Sequence, residues 1–236
     1  MNHQRLYEYR FRNVDQARRT AVWREIAAHV YEQLGHPDVL LDPAAGRGEF
    51  INAVPARERW AMDFVAYPEG TYNPSVRAVV ADALQAELPE AYFDGVFVSN
   101  FLEHLSGQDA VAAFLERMYA AIAPGGRIAI MGPNFRYCKS QYFDMADHTV
   151  ILTHLAVKEH LYAAGFQPEI VHPQYLPYSF TGRLPATSSI VRQYLRMPLA
   201  WRLVGKQFLV IGRRGSLPAQ TSIAEAAEGV LVNGRL

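Results

Sequence analysis

Apolar positions along the chain alternate between short continuous runs and longer stretches of helical spacing. The first stretch, QARRTAVWREIAAHVYEQLG, sets Ala21, Ile26, Ala27, Val30 and Leu34 near helical spacing and stops at Gly35, which predicts an opening helix over about 15–35. Short apolar runs follow: VLLD, RWAMD, VRAVVAD, FDGVFVSN and GRIAIMG, with KQFLVIGRR supplying one last strand. The clearest helices between them are QDAVAAFLERMYAAIA, closed by Pro124-Gly125-Gly126, and TVILTHLAVKEHLYAAG, closed by Gly165.

Strand-length runs separated by helix-length segments predict a parallel sheet buried on both faces, an α/β fold. With 236 residues, one such domain with a sizeable core is expected, spanning 1–213. Its core covers 38–166, an insertion of about 178–205 interrupts the alternation, and 214–236 reads as a weakly structured tail. There is no internal repeat and no low-complexity tract.

Composition narrows the function. Lys plus Arg and Asp plus Glu both number 23, so no global field steers the chain toward nucleic acid, and none is expected as a partner. The single cysteine, Cys138, excludes an internal disulfide framework and a cysteine-rich zinc site, which fits a reducing compartment. The N-terminal MNHQRLYEYRFRN has no secretory apolar core, and no segment approaches the roughly 20 apolar residues that span a bilayer. A cytoplasmic protein is the expectation.

The chemistry gathers at VLLDPAAGRGEF. An apolar strand ends in Asp42, the chain then uses its smallest residues at Ala44, Ala45, Gly46 and Gly48, and a helix-like segment resumes. In a doubly wound sheet the first strand-to-helix turn is where backbone meets cofactor. Asp63 ends the next strand about 20 residues on, where an acid accepts hydrogen bonds from a ribose diol. A dinucleotide fingerprint would need glycines at Ala44 and Glu49, and Glu49 would oppose a pyrophosphate at the helix start. No G-K-[ST] phosphate loop is present. The pattern suits an adenosine without phosphates.

VLLDPAAGRGEF, AMD, VVADA, FDGVFVSNFLEHL and APGGRIAIMGPN, in that order over Val39 to Phe166, resemble the successive motifs of class I S-adenosylmethionine-dependent methyltransferases. The resemblance implies a Rossmann-like, seven-stranded, mostly parallel sheet with helices on both faces, an antiparallel last strand, an N-terminal helix and a helical insertion before that last strand. It implies S-adenosyl-L-methionine as cofactor and S-adenosyl-L-homocysteine as product. Asp42 and the Ala44, Ala45, Gly46, Gly48 turn would hold the methionine part, and Asp63 with Phe64 the ribose side. Asp82 with Ala83 would read the adenine, and Asn100 with Phe101 would line the pocket. Ala44 departs from the family's usual first glycine. GPNFRY, DHT, QYLPYSF, RLP and AWRLVGKQ further resemble a bacterial subgroup associated with polysaccharide or cell-envelope glycolipid biosynthesis.

A sulfonium already activates its methyl group, so the protein's task is to align an acceptor and exclude water. If the acceptor is a hydroxyl, His104 in LEHL or His148 beside Asp147 is placed to act as base, against the alternative that each only packs. Asn134, Arg136 and Tyr142 are the substrate-side candidates, within acceptor segments expected at Tyr7–Arg12, Asn134–His148 and the insertion. His154 and His160 read as helix-surface residues, and the histidine spacing shows no metal site. A small-molecule or saccharide acceptor is expected. The alternatives are a non-catalytic cofactor-binding protein and another S-adenosylmethionine-using transferase. In SSIVRQYLRMPLAWRLVGKQF, Ile190, Val191, Tyr194 and Leu195 share a helix side and Arg192 and Arg196 another, before Pro198. That segment is either a lid over the acceptor or a peripheral membrane contact through 188–206. Oligomeric state is not legible.

Overall fold

The computed structural model describes residues 5, 6, 9, 10, 12, 14–178 and 187–215. The expectations for Tyr7, for 179–186 of the insertion and for 216–236 of the tail lie outside the described residues.

Helix α1 (Gln16–Gln33) opens with Asp15, whose carboxylate accepts from the Arg18 amide at 3.1 Å. Leu34 ends it, and Gly35 follows at φ +84°, a conformation that favours glycine. Seven strands then form one sheet: β1 (Val39–Asp42), β2 (Glu58–Asp63), β3 (Val76–Val80), β4 (Phe93–Ser99), β5 (Ile122–Pro133), β6 (Phe166–Leu176) and β7 (Gln207–Arg214). The order across the sheet is β3-β2-β1-β4-β5-β7-β6. The pairs from β3 through β5 are parallel, and β7 runs antiparallel to both β5 and β6. The chain reverses its winding between β1 and β4, the place where open sheets bind ligands.

Both faces are covered. On one, Ile26, Val30, Leu40, Phe50, Ile51, Phe97 and Ile211 pack with α1, α5 (Ser188–Leu195) and α6 (Pro198–Val204). On the other, Leu41, Val96, Ile128 and Val210 pack with α2 (Gln108–Ala121) and α4 (His154–Ala163). Alternate residues of one strand thus enter opposite cores, which is why the strands read as unbroken apolar runs.

Several local expectations are corrected. After β1 the chain makes turns rather than a helix through 43–57, because Pro55 leaves room for little more than one turn after Gly48. Helix α2 stops at Ala121, and Ile122 already pairs with Phe93, so the PGG segment belongs to the strand. Helix α4 begins only at His154, capped by the Thr153 hydroxyl on the Ala156 amide at 3.2 Å. His154 itself is buried, not on the helix surface. Strand β6 carries Pro168 and Pro173, which weaken its sequence signal; as an outer strand it tolerates both. In the insertion, Val191 and Leu195 are buried and α5 lies on α1, where Arg192 makes a bidentate pair with Glu25 at 2.6 and 2.8 Å. As expected, α5 ends before Pro198, which itself opens α6. Among the described residues no helix is long and apolar enough to cross a membrane.

Candidate active site

The carboxyl ends of β1 to β4 bring most of the expected cofactor residues to one edge of the sheet. Asp42 ends β1 with 4% exposure and accepts from the Ala44 amide at a long 3.3 Å. Burial pushes its carboxyl well above the usual carboxylate range, so the site favours a cationic partner. The turn that follows is tied to β2. The Ala45 amide donates to the Met62 carbonyl at 2.9 Å, and the Gly46 amide donates to Asp63 Oδ2 at 2.8 Å. Asp63 Oδ1 accepts from the Val65 amide at 2.9 Å, and burial raises its pKa against those two amides.

The two glycines serve different ends. At Gly46, φ is +53° and a Cβ would meet nothing nearer than the Tyr67 hydroxyl at 4.0 Å: the backbone faces open space. At Gly48, φ is +73° and a Cβ would press on the Tyr72 ring at 2.8 Å and Asn52 Nδ2 at 2.9 Å. Gly46 therefore leaves its side of the turn open, and Gly48 is small for the fold. Tyr72 clamps the turn through its hydroxyl on the Gly46 carbonyl at 2.8 Å, and Glu49 pairs with Arg19 of α1 at 2.5 Å.

Phe64 stands exposed beside Asp63. Asp82 is exposed just past β3 and accepts from the Leu84 amide at 2.9 Å and Gln85 Nε2 at 3.2 Å, while Ala83 is buried. Asn100 leaves β4 at φ +48°, a strained backbone that asparagine tolerates, and its amide donates to Met131 at 2.9 Å. Phe101 packs on Phe114 with ring centroids 5.0 Å apart. A cavity of about 250 Å³ opens between β3 and the 65–74 loop; of the candidate residues it reaches Asp63 alone.

Beyond β4 lies a second cluster. His104 occupies the short 3-10 turn Leu102–His104, and the chain returns beside it at Asp147 and His148. The Glu103 carbonyl joins the two segments by accepting from the Thr149 and Val150 amides at 2.8 and 3.1 Å. His104 Nδ1 lies 3.0 Å from the Asp147 carbonyl, which assigns the proton to Nδ1 and leaves the lone pair on Nε2. The His104 and His148 rings are 5.0 Å apart. Glu103 is 2% exposed and desolvation pushes its carboxyl up to about 7. Desolvation and the neighbouring His104 bring His148 down to about 4, so it is neutral near neutral pH. Arg10 pairs with Asp147 at 2.5 Å and, despite the burial, holds that carboxyl below its usual value.

Of the substrate-side candidates, Tyr142 is fully buried beneath His148, with centroids 4.7 Å apart and its hydroxyl donating to the Val150 carbonyl at 2.5 Å. Asn134 is fully buried too; its amide nitrogen meets His154 Nδ1 and the Pro173 carbonyl, both at 2.8 Å. Arg136 is exposed on the four-residue helix α3 (Phe135–Cys138, numbered before α4 in chain order). Glu103 and Asp147, central to this cluster, were not among the residues singled out from sequence for chemistry. The only sequence signal was that each precedes a candidate histidine.

A sheet of this order, with small and acidic residues at its strand ends, defines a doubly wound α/β protein, a class whose ligands sit at the carboxyl ends of the strands. Residues 41–130 match the family model described as "Methyltransferase domain". No curated protein matches the chain in sequence. Among solved structures, the chain is similar to 1,6-didemethyltoxoflavin-N1-methyltransferase of Burkholderia thailandensis, solved with 1,6-didemethyltoxoflavin and S-adenosylhomocysteine. That pair is 24% identical, covers 91% of this chain and 87% of the other, and has a TM-score of 0.59. A SAM-dependent methyltransferase from Archaeoglobus fulgidus aligns over 90% of this chain and 100% of its own at 19% identity and TM-score 0.60. Geranyl diphosphate C-methyltransferase from Streptomyces coelicolor A3(2) aligns over 80% and 76% at 16% identity and TM-score 0.58. The chain thus has the fold of the SAM-dependent methyltransferases, and the part of it that matches the methyltransferase-domain model runs from β1 into β5.

Proposed function

We propose that the chain binds S-adenosyl-L-methionine across the ends of β1 to β4 and methylates a small-molecule or saccharide acceptor seated over Glu103, His104 and His148. The observation that carries this reading is the Gly46–Asp63 bond, which sets an open glycine backbone beside a carboxylate with lone pairs to spare. The residues fit the cofactor. Asp42, buried and poorly paired, suits the methionine ammonium; Asp63 suits the ribose diol; Asp82 and the Ala83 amide suit the adenine. The bound cofactor supplies a methyl group already activated on a sulfonium.

The remaining work falls to this chain's residues. His104, its Nδ1–H held by the Asp147 carbonyl, keeps Nε2 ready to take the proton of an acceptor hydroxyl. Glu103, with a pKa near neutrality, equips the cluster to hold one proton. Incubation with methyl-labelled cofactor and a panel of hydroxyl, amine and saccharide acceptors tests the reading, with His104→Ala as the matched variant. Label transfer that falls by about 100-fold in the variant, with cofactor binding retained, supports it; cofactor binding without transfer to any acceptor class favours a binding protein.

A second feature concerns where the acceptor resides. Helix α6 and its flanks expose Met197, Leu199, Leu203 and Val204, at 48, 75, 84 and 51%, with Arg196 and Arg202 also exposed. This favours contact of 188–206 with an anionic membrane surface, and with it a lipid-linked saccharide acceptor.

A further inference from the structure

We propose that Glu103, His104 and His148 form a binding site for a divalent transition-metal cation on the acceptor side of the cofactor. The inference deepens the methyl-transfer reading and rests on it for its purpose, though not for its geometry. One ligand atom from each of the three residues lies within 4.8 Å of the others. Around a tetrahedral ion with bonds of about 2.0–2.2 Å such atoms stand roughly 3.4 Å apart, so side-chain rotation of an ångström or so closes the site.

Two of these residues lack a partner for the atom in question. Glu103 Oε1 and His148 Nδ1 are both buried without a hydrogen bond, as is Asp147 Oδ2 next to them. Glu103 is 2% exposed, so water does not satisfy it. The unsatisfied Glu103 and His148 atoms are a standing cost that an ion would remove, whereas Asp147 lies on the other side of the His104 ring, by Nδ1. His104 is arranged as metal-bound histidines are: Nδ1–H goes to a main-chain carbonyl, that of Asp147, which turns Nε2 toward Glu103 Oε1 at 3.9 Å. Arg10 is the cation nearest the group, and its charge is met by Asp147 at 2.5 Å.

The frame around the group is rigid. Thr149 and Val150 hang from the Glu103 carbonyl, and the buried Tyr142 hydroxyl holds the Val150 carbonyl. Glu103 Oε2 lies against Gly132 of β5, 3.5 Å from where a Cβ there would sit.

Two imidazoles and one carboxylate select an ion such as zinc, cobalt or manganese over magnesium or calcium, which take oxygen donors. Three protein ligands leave a position for an acceptor oxygen. In the metal-loaded chain His104 Nε2 would serve as ligand, and a coordinated acceptor hydroxyl would lose its proton to solvent; in the metal-free chain the same atom is the base, so His104→Ala impairs transfer in either state. The expectation that the chain has no metal site came from histidine spacing along the sequence, and His104 and His148 stand 44 positions apart.

The full chain, stripped with chelator, is titrated with cobalt(II) and followed by visible absorption, with S-adenosylhomocysteine binding measured on the same samples. The expected result is one ion per chain with the strong visible bands of a low-coordinate nitrogen and oxygen site, displaced by zinc and not by magnesium. Glu103→Gln and His148→Ala should each weaken binding by about 100-fold, while His160→Ala leaves it unchanged. A wild-type chain that gives no such bands yet binds S-adenosylhomocysteine overturns the site, whatever the variants do. So does cobalt binding indifferent to both ligand substitutions. Loss of S-adenosylhomocysteine binding in the wild type would instead strike the methyl-transfer reading.

Discussion

The Gly46 amide donates to Asp63 Oδ2 at 2.8 Å, locking the turn after β1 to the end of β2. The same carboxylate shapes the turn and, in the proposed site, would accept from the ribose diol. Asp63→Ala should weaken S-adenosylhomocysteine binding by about 1.5–3 kcal/mol, the range for bonds to a charged group. Asp63→Asn, which keeps the shape of the side chain, should lose less. Calorimetry of both variants decides it; unchanged affinity in the alanine variant would move the ribose elsewhere.

The two glycines of the turn should separate by phenotype. Gly48→Ala forces a Cβ to 2.8 Å from the Tyr72 ring at φ +73°, and should cost about 1–3 kcal/mol of stability in denaturant unfolding. Gly46→Ala meets open space but carries the backbone strain of φ +53°, so it should cost less stability than Gly48→Ala and in addition weaken cofactor affinity. Equal stability losses in the two variants would contradict this division.

The cofactor half of the site was legible because it is local. Asp42, the small-residue turn, Asp63 and Asp82 each sit at or just past a strand end, and strand ends are readable from apolar runs. The acceptor half was less so. Glu103 and Asp147 matter through contacts across 43 to 47 positions, and no periodicity carries such a pairing. Tyr142 and Asn134 are hidden for the same reason: their burial depends on where β5, β6 and α4 meet. Strand β6 was masked by its prolines, and the first crossover looked helical because the apolar spacing of Phe50, Ile51 and Val54 suits either a helix or a chain of turns.

Two half-buried histidines should subtract stability on mild acidification, against the opposite contribution of the raised carboxyls of Glu103, Asp42 and Asp63. His29 and His172 are held below the ordinary histidine value of 6.5 by burial, against Tyr175 and Trp201. A depressed histidine pKa means that the unfolded chain binds more protons, so their contribution is full above 6.5 and declines as pH falls through that value toward the lowered folded ones. Thermal unfolding followed from pH 7 downward should show the wild-type midpoint losing ground to that of the His29→Gln, His172→Gln double variant as pH falls. A difference between the two that stays constant, or moves in favour of the wild type, over that interval would contradict the assignment.

If α6 meets a membrane, the protein should sediment with anionic vesicles at low salt and come off as salt rises. Leu199→Asp with Leu203→Asp should abolish sedimentation, and Arg196→Glu with Arg202→Glu should weaken it. Arg192 is a poor probe, because its guanidinium is engaged by Glu25. No sedimentation by the wild type at low salt would leave 188–206 as a soluble cover on α1.

The central claim is that the ends of β1 to β4 hold an adenosine cofactor without a pyrophosphate. Titration calorimetry of the full chain with S-adenosylhomocysteine and, in parallel, with NAD tests it most directly. The account predicts saturable S-adenosylhomocysteine binding, about one per chain and of micromolar strength or tighter, and no measurable heat with NAD. Tight NAD binding, or no binding of S-adenosylhomocysteine by a folded chain, would contradict it.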